Sequence, residues 1–171
     1  MAEEIVDIVG LDCSILSCVP KSEAHQKGLL HRTVIGEVRR PNGDWVLVKQ
    51  SSDRQDAGQY VSPVGGHAKA GESNEDALAR EALEEIGLTG LASEFVGRFV
   101  FERQVLGRHE NHYFIVYRII TDQNLLLGDE AVSYETFSEE NLRRLIAEKP
   151  DMFGEAFFAL LRQFYPHLLT D

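Results

Sequence analysis

Between Gly65 and Leu88 the chain reads GGHAKAGESNEDALAREALEEIGL, six acidic residues against one arginine and one lysine. A helix is expected to begin after Ser73, which with Asp76 three residues on resembles a capping box, and to end at Gly87, a glycine placed as its C-cap. Leu78, Ala82 and Ile86, joined by Ala79 and Leu83, supply the expected apolar face. At about 100° per residue, Glu81, Glu84 and Glu85 gather on the side away from it. Like charges three and four residues apart repel in a bare helix, so the crowding makes sense where cations sit among the carboxylates. Carboxylate oxygens are hard ligands that suit Mg²⁺ or Mn²⁺, and Mg²⁺ takes one or two of them before completing its shell with water and substrate phosphates. The alternative is that the glutamates form a solvated surface. Their spacing has to decide.

The remainder of the chain sets bounds on that choice. Its 171 residues are expected to form a single domain, 1–171, with a proper core. Every apolar run is far below the ~18 residues of a membrane span. The opening MAEEIVDIVG is acidic where a secretory signal carries a basic region, so a cytoplasmic protein is expected. With 17 basic and 28 acidic residues the net charge is −11, a field that repels nucleic acid. A polyphosphate can approach such a surface once divalent cations have neutralised the local carboxylates. Cys13 and Cys18 fit a disulfide, half of a metal site or buried thiols. Two thiols in a chain of this kind are read as reduced and structural, with no further role.

Along the chain, IVDIVG reads as a strand, and KSEAHQKGLLHR leads into a second, TVIGEVRR. RPNGDW is a hairpin turn, so the apolar run WVLVKQ should pair antiparallel with the strand before it. SSDRQDAGQYVSPVGG is rich in turn formers and reads as a loop. After the acidic helix come FVGRFVFERQ and NHYFIVYRII around a turn near Gly107, then AVSYETF. Glu139 to Glu148 suits a surface helix that Pro150 ends, and MFGEAFFALLRQFY begins a last helix with a core-packing aromatic and leucine stripe.

From Gly66 to Leu88 the pattern G-x5-E-x7-R-E-A-L-E-E-I-G-L resembles the Nudix box, G-x5-E-x7-R-E-U-x-E-E-x-G-U with U a bulky aliphatic. Gly66, Glu72, Arg80, Glu81, Glu84, Glu85, Gly87 and Leu88 match, and Ala82 stands at the first U position. The resemblance implies an α/β/α sandwich around a mixed sheet and Mg²⁺-dependent hydrolysis of a nucleoside diphosphate linked to another group, with Mn²⁺ as an alternative ion. It implies that Glu81, Glu84 and Glu85 bind metal, that Glu84 also orients or deprotonates the attacking water, and that Glu72 and Arg80 tie loop to helix. The Gly66 carbonyl is implied as a further ligand, a glycine there letting the backbone approach the ion. The expected substrate is a small nucleotide, a nucleoside di- or triphosphate cleaved to the monophosphate, with neither nucleic acid nor membrane as partner. Lys49 and Arg54 are candidates to hold its phosphates. Tyr60 or Phe101 would stack on a base or else belong to the core. Glu110 is a candidate for an extra ligand or base outside the box, with Glu102 and Glu130 in competition.

GLLHRTVIGEV and VGGHAKAGESNEDA also resemble isopentenyl-diphosphate isomerases, which share the Nudix fold. In those relatives a histidine cluster and two downstream acids hold a metal, and a cysteine precedes the Gly-His of the box. Here His25, His31 and His67 occupy similar places, HENH offers Glu110 with His112, and the cysteine position is Gly65. Hydrolysis is therefore expected ahead of isomerisation. A nucleotide-sensing module without catalysis is the third expectation.

Overall fold

The computed structural model describes residues 2–170. Its sheet is assembled around β3 (His31–Arg39), buried at every position. One edge of β3 pairs in parallel along its full length with β8 (Arg108–Ile120). The other edge is shared end to end by β1 (Ile5–Val9) at His31, β6 (Val64–His67) over Thr33–Gly36, and β4 (Trp45–Gln50) at Val38–Arg39. A strand enclosed in this way has no polar face, which is why TVIGEV lacks alternation. Among the described residues the sheet has nine strands: β2 (Ile15–Pro20) adds to β1, β5 (Tyr60–Val61) and β9 (Ala131–Phe137) to β4, and β7 (Ser93–Val105) forms a long hairpin with β8. It mixes parallel and antiparallel pairs, as the family pattern implies.

Helices cover both faces. Val34, Val38, Tyr113, Ile115 and Tyr117 point to one side, where α2 (Asn74–Ile86) buries Ala77, Leu78, Ala82 and Ile86 against them. Their neighbours Ile35, Phe114 and Val116 point the other way, toward α3 (Glu139–Glu148) and α4 (Glu155–Phe164), where Trp45 stands edge-on to Phe157. The alternation along β3 and β8 thus feeds two cores from one sheet.

The ends of α2 are as expected: the Ser73 hydroxyl accepts the Asp76 N–H, and Gly87 adopts the left-handed conformation at φ 68°. Its faces are not. Ala79 and Leu83 are exposed, Ala77 is buried, and Glu81 lies on the buried side. The apolar stripe is displaced because the helix must also turn toward β6. Four elements went unread in the sequence. β2 is an edge strand whose exposed first residues give no alternating signal. The seven-residue α1 (Lys21–Lys27) starts after Pro20 and stops at Gly28. In the presumptive loop, β5 and β6 are too short to announce themselves. Both cysteines are free thiols, Cys18 being exposed on β2.

Candidate active site

Arg80 organises the segment that opened the sequence. Its Nε and Nη2 meet the two Glu72 oxygens at 2.8 and 3.0 Å, a bidentate pair that binds the loop before α2 to the helix. Nη2 also donates to the His67 carbonyl of β6 at 2.9 Å, and Nη1 to Glu81 Oε1 at 2.7 Å, with Glu84 Oε2 3.6 Å away. One guanidinium therefore fixes loop, strand and two glutamates. A second clamp acts from below: Arg32 bonds Asp7 at 3.0 Å, the Glu72 carbonyl at 2.9 Å and Asn74 at 2.7 Å, while Asp7 accepts the Gly71 N–H at 2.9 Å.

These clamps press α2 onto Gly65 and Gly66. The Gly65 N–H donates to Glu85 Oε2 at 2.9 Å. A Cβ at Gly66 would overlap the Glu81 carboxylate, so the residue must be glycine for backbone and carboxylate to share the space. Burial pushes the Glu81 carboxyl up in pKa against the pull of Arg80. It does the same to Glu85, reinforced by a hydrogen-bond contact with Glu130. Hard oxygen donors converging on a glycine backbone, and reluctant to ionise alone, fit a divalent cation of the Mg²⁺ class.

Glu81, Glu84 and Glu85 open into a cavity of about 340 Å³ that is also lined by Gly65, Gly66, Arg54, Glu110, Glu130, His67 and His112. Its four cations are all engaged. Lys21 meets Glu4 at 2.9 Å, Arg54 meets Glu130 at 3.2 Å, Arg103 meets Asp56 at 3.0 Å and Glu110 at 2.9 Å, and Arg108 meets Glu110 at 2.8 Å. With seven carboxylates on the walls, the charge that would receive a phosphate has to come largely from bound ions.

Four histidines meet beside the carboxylates: His25 from α1, His31 from β3, His67 from β6 and His112 from β8, with all four ligand atoms within 4.8 Å of one another. His31 and His112 are cross-strand partners in the parallel pair, and His67 follows Gly66 directly. The His25 Nε2 lies 3.2 Å from His67 Nε2 and 3.5 Å from His112 Nε2. Tetrahedral Zn–N geometry requires nitrogens ~3.3 Å apart. His31 donates Nδ1–H to the Leu29 carbonyl at 2.7 Å, which fixes its tautomer and leaves the buried Nε2 without a partner. Burial lowers the pKa of all four, His25 to about 4, and a neutral imidazole is the form that binds metal. An all-nitrogen set suits Zn²⁺ or another borderline ion rather than Mg²⁺.

The other sequence candidates are scattered. Lys49 lies on β4, paired with Tyr60 and Ser133, outside the cavity lining. Tyr60 packs on Phe137 and Phe153 within the core, and Phe101, partly buried, stacks on Phe114 at the edge of that core. Glu110 lines the cavity with its oxygens held by Arg103 and Arg108. Glu102 pairs with His109 on the β7–β8 hairpin, and Glu130 stands against Glu85. Asp7, Arg32, Arg103 and Arg108 carried no local signal that could have singled them out.

A glutamate helix clamped by arginine onto a glycine strand, on a mixed sheet between helices, is the arrangement that the box pattern implies for a hydrolase of phosphate anhydrides. Residues 29–156 match the model of the NUDIX domain, and the chain belongs to that family. It is 36% identical over 103 residues to an uncharacterized Nudix hydrolase of Streptomyces coelicolor, an alignment spanning 59% of this chain and 57% of that protein. An isopentenyl-diphosphate delta-isomerase of Aliivibrio fischeri is 27% identical over 96% of this chain and 97% of its own. Among solved structures, DR0079 of Deinococcus radiodurans superposes with a TM-score of 0.76 at 19% identity, covering 95% of this chain and 99% of that one. The MutT protein of Methanosarcina mazei gives 0.64 at 24%, covering 81% and 92%. These two establish the fold. No helix among the described residues is long and apolar enough to cross a membrane.

Proposed function

We propose that the chain hydrolyses a diphosphate linkage in a small nucleotide, a nucleoside di- or triphosphate giving the monophosphate, in the cytoplasm and with Mg²⁺ as cofactor. The observation that carries this reading is the Arg80 clamp, which brings Glu81 and Glu85 together at the Gly65–Gly66 backbone. Glu81, Glu85 and the Gly66 carbonyl would hold the ion, which when bound supplies charge to the phosphoryl oxygens and acidity to a water. Glu84, more than half exposed beside them, would orient that water and accept its proton. Arg54 would meet the outer phosphate. Both residues work by position and charge, the main currency of phosphoryl transfer.

Incubation with Mg²⁺ and a panel of nucleoside di- and triphosphates, nucleotide sugars, dinucleoside polyphosphates and ADP-ribose tests the reading. Release of a nucleoside monophosphate supports it, and inertness toward the whole panel at neutral and mildly alkaline pH refutes it.

The histidine cluster supports a second reading, isomerisation of isopentenyl diphosphate, as does the end-to-end similarity to the Aliivibrio protein. Against it stands Gly65 at the position of the cysteine, where a side chain would meet only open space. Dimethylallyl diphosphate formed from isopentenyl diphosphate would establish this second reading. A borderline metal ion on the four histidines is compatible with either.

A further inference from the structure

On the face of β3 that carries the site, His31 belongs to the histidine cluster and Ile35 to the apolar core, and Thr33 stands between them. Thr33 is paired with His67 of β6 on one side and with Phe114 of β8 on the other, and all three line the cavity. Its hydroxyl therefore sits where imidazole gives way to hydrocarbon. Beyond it the lining continues through Ile35, Val61 and Phe157, all buried. Thr33 itself is 6% exposed, and its Oγ1 has no hydrogen-bond partner among the described residues. A buried strand gains nothing from an unpaired hydroxyl, whereas valine has nearly the same shape and leaves nothing unsatisfied. The other hydroxyl and amide side chains of the lining, Gln50, Gln55 and Ser62, are partly exposed and within reach of solvent. Thr33 is buried, so its partner arrives with whatever fills the cavity.

We propose that Thr33 determines which diphosphates the site takes: its hydroxyl bonds a polar group of a nucleoside lying on Ile35, Phe114 and Phe157, and it penalises a hydrocarbon chain in the same place. A group that covers Oγ1 without bonding it strands the hydroxyl, which is how a site built for a hydrogen bond rejects an analogue that lacks one. The apolar floor suits the face of a base, and the hydroxyl serves its edge. The inference rests on the nucleotide reading above and names the residue that separates it from the isopentenyl diphosphate alternative.

Calorimetric titration of the intact chain with three non-hydrolysable ligands, in the presence of Mg²⁺, tests this without turnover. The ligands are methylenediphosphonate, its pentyl ester and a set of α,β-methylene nucleoside diphosphates with the common bases. Thr33→Val should weaken the best nucleoside ligand by about tenfold, the scale of one buried hydrogen bond, and tighten the pentyl ligand by about threefold or more. Affinity for bare methylenediphosphonate should stay within about twofold, since that ligand does not reach the floor. Thr33→Ser, which keeps the hydroxyl, should retain the preference for the nucleoside. The melting temperature of ligand-free Thr33→Val should equal or exceed that of the unmodified chain, because an unpaired buried group has been removed. A nucleoside preference that survives Thr33→Val overturns the inference alone. Equal losses for all three ligands also overturn it, since they would mark a disturbed ion site. An unmodified chain that prefers the pentyl ligand brings down the nucleotide reading, and one that binds none of the three brings down the carboxylate site and the inference together.

Discussion

Gly65 and Gly66 are adjacent and chemically identical, yet they answer to different constraints. Gly66 shares its space with the Glu81 carboxylate, and Gly65 faces open cavity. Gly66→Ala must displace that carboxylate and is expected to lower turnover by about tenfold or more, the loss typical of disturbed metal surroundings. Gly65→Ala should keep most of the activity, because its N–H to Glu85 survives. Side-by-side kinetics, with circular dichroism to verify folding, check the contrast. At this scale the box residues were legible because their offsets are fixed within one loop and helix. Glu102, Glu110 and Glu130 were indistinguishable in sequence. Only the hairpin and the strand order decide that His109 takes the first, two arginines the second and Glu85 the third.

The acidic helix was legible in its ends and misjudged in its roll. Ser73 and Gly87 act through local backbone chemistry, which sequence reports directly. The direction of the buried face depends on where β6 runs, and periodicity alone placed Leu83 inside and Glu81 outside. Leu83 is 54% exposed and Leu78 is 1% exposed. Thermal or urea unfolding should therefore find Leu83→Ala within about 0.5 kcal/mol of the unmodified chain. Leu78→Ala should cost about 2–5 kcal/mol through the cavity it leaves. The reverse order would put α2 in a different orientation and separate Glu81 from Gly66. The short α1 was unreadable for a related reason: seven residues carry too little periodicity, and what holds them is the docking of Ala24 and His25 into the protein.

Across the whole molecule, four histidines from four elements converge only after the sheet has formed, so their meeting was suggested by resemblance and not by spacing. Their burial has a consequence for stability. In chelator-treated protein the folded-state pKa values lie below the ordinary value of 6.5, His25 at about 4. Between those limits the unfolded chain binds protons that the folded chain refuses. Stability is therefore fully present above about pH 6.5 and is lost as pH falls toward 4, by up to ~1.4 kcal/mol per pH unit for each histidine that titrates this way. Thermal melts across that range should show this slope without metal, and added Zn²⁺ should raise the melting temperature most near neutral pH, where the imidazoles are free to bind it. A flat profile would mean that the rings are solvated. The negative field of the chain bears on the same cavity, whose carboxylates outnumber its cations. The claim on which the rest depends is that diphosphate cleavage is driven by a divalent ion on Glu81 and Glu85. Phosphorus NMR of a nucleoside diphosphate incubated with the unmodified chain and with Glu85→Gln, each with Mg²⁺ and with chelator, tests it most directly. The account predicts monophosphate and inorganic phosphate from the unmodified chain with Mg²⁺ alone and a loss of at least ~100-fold in Glu85→Gln. Equal product from Glu85→Gln, or undiminished product in chelator, would contradict it.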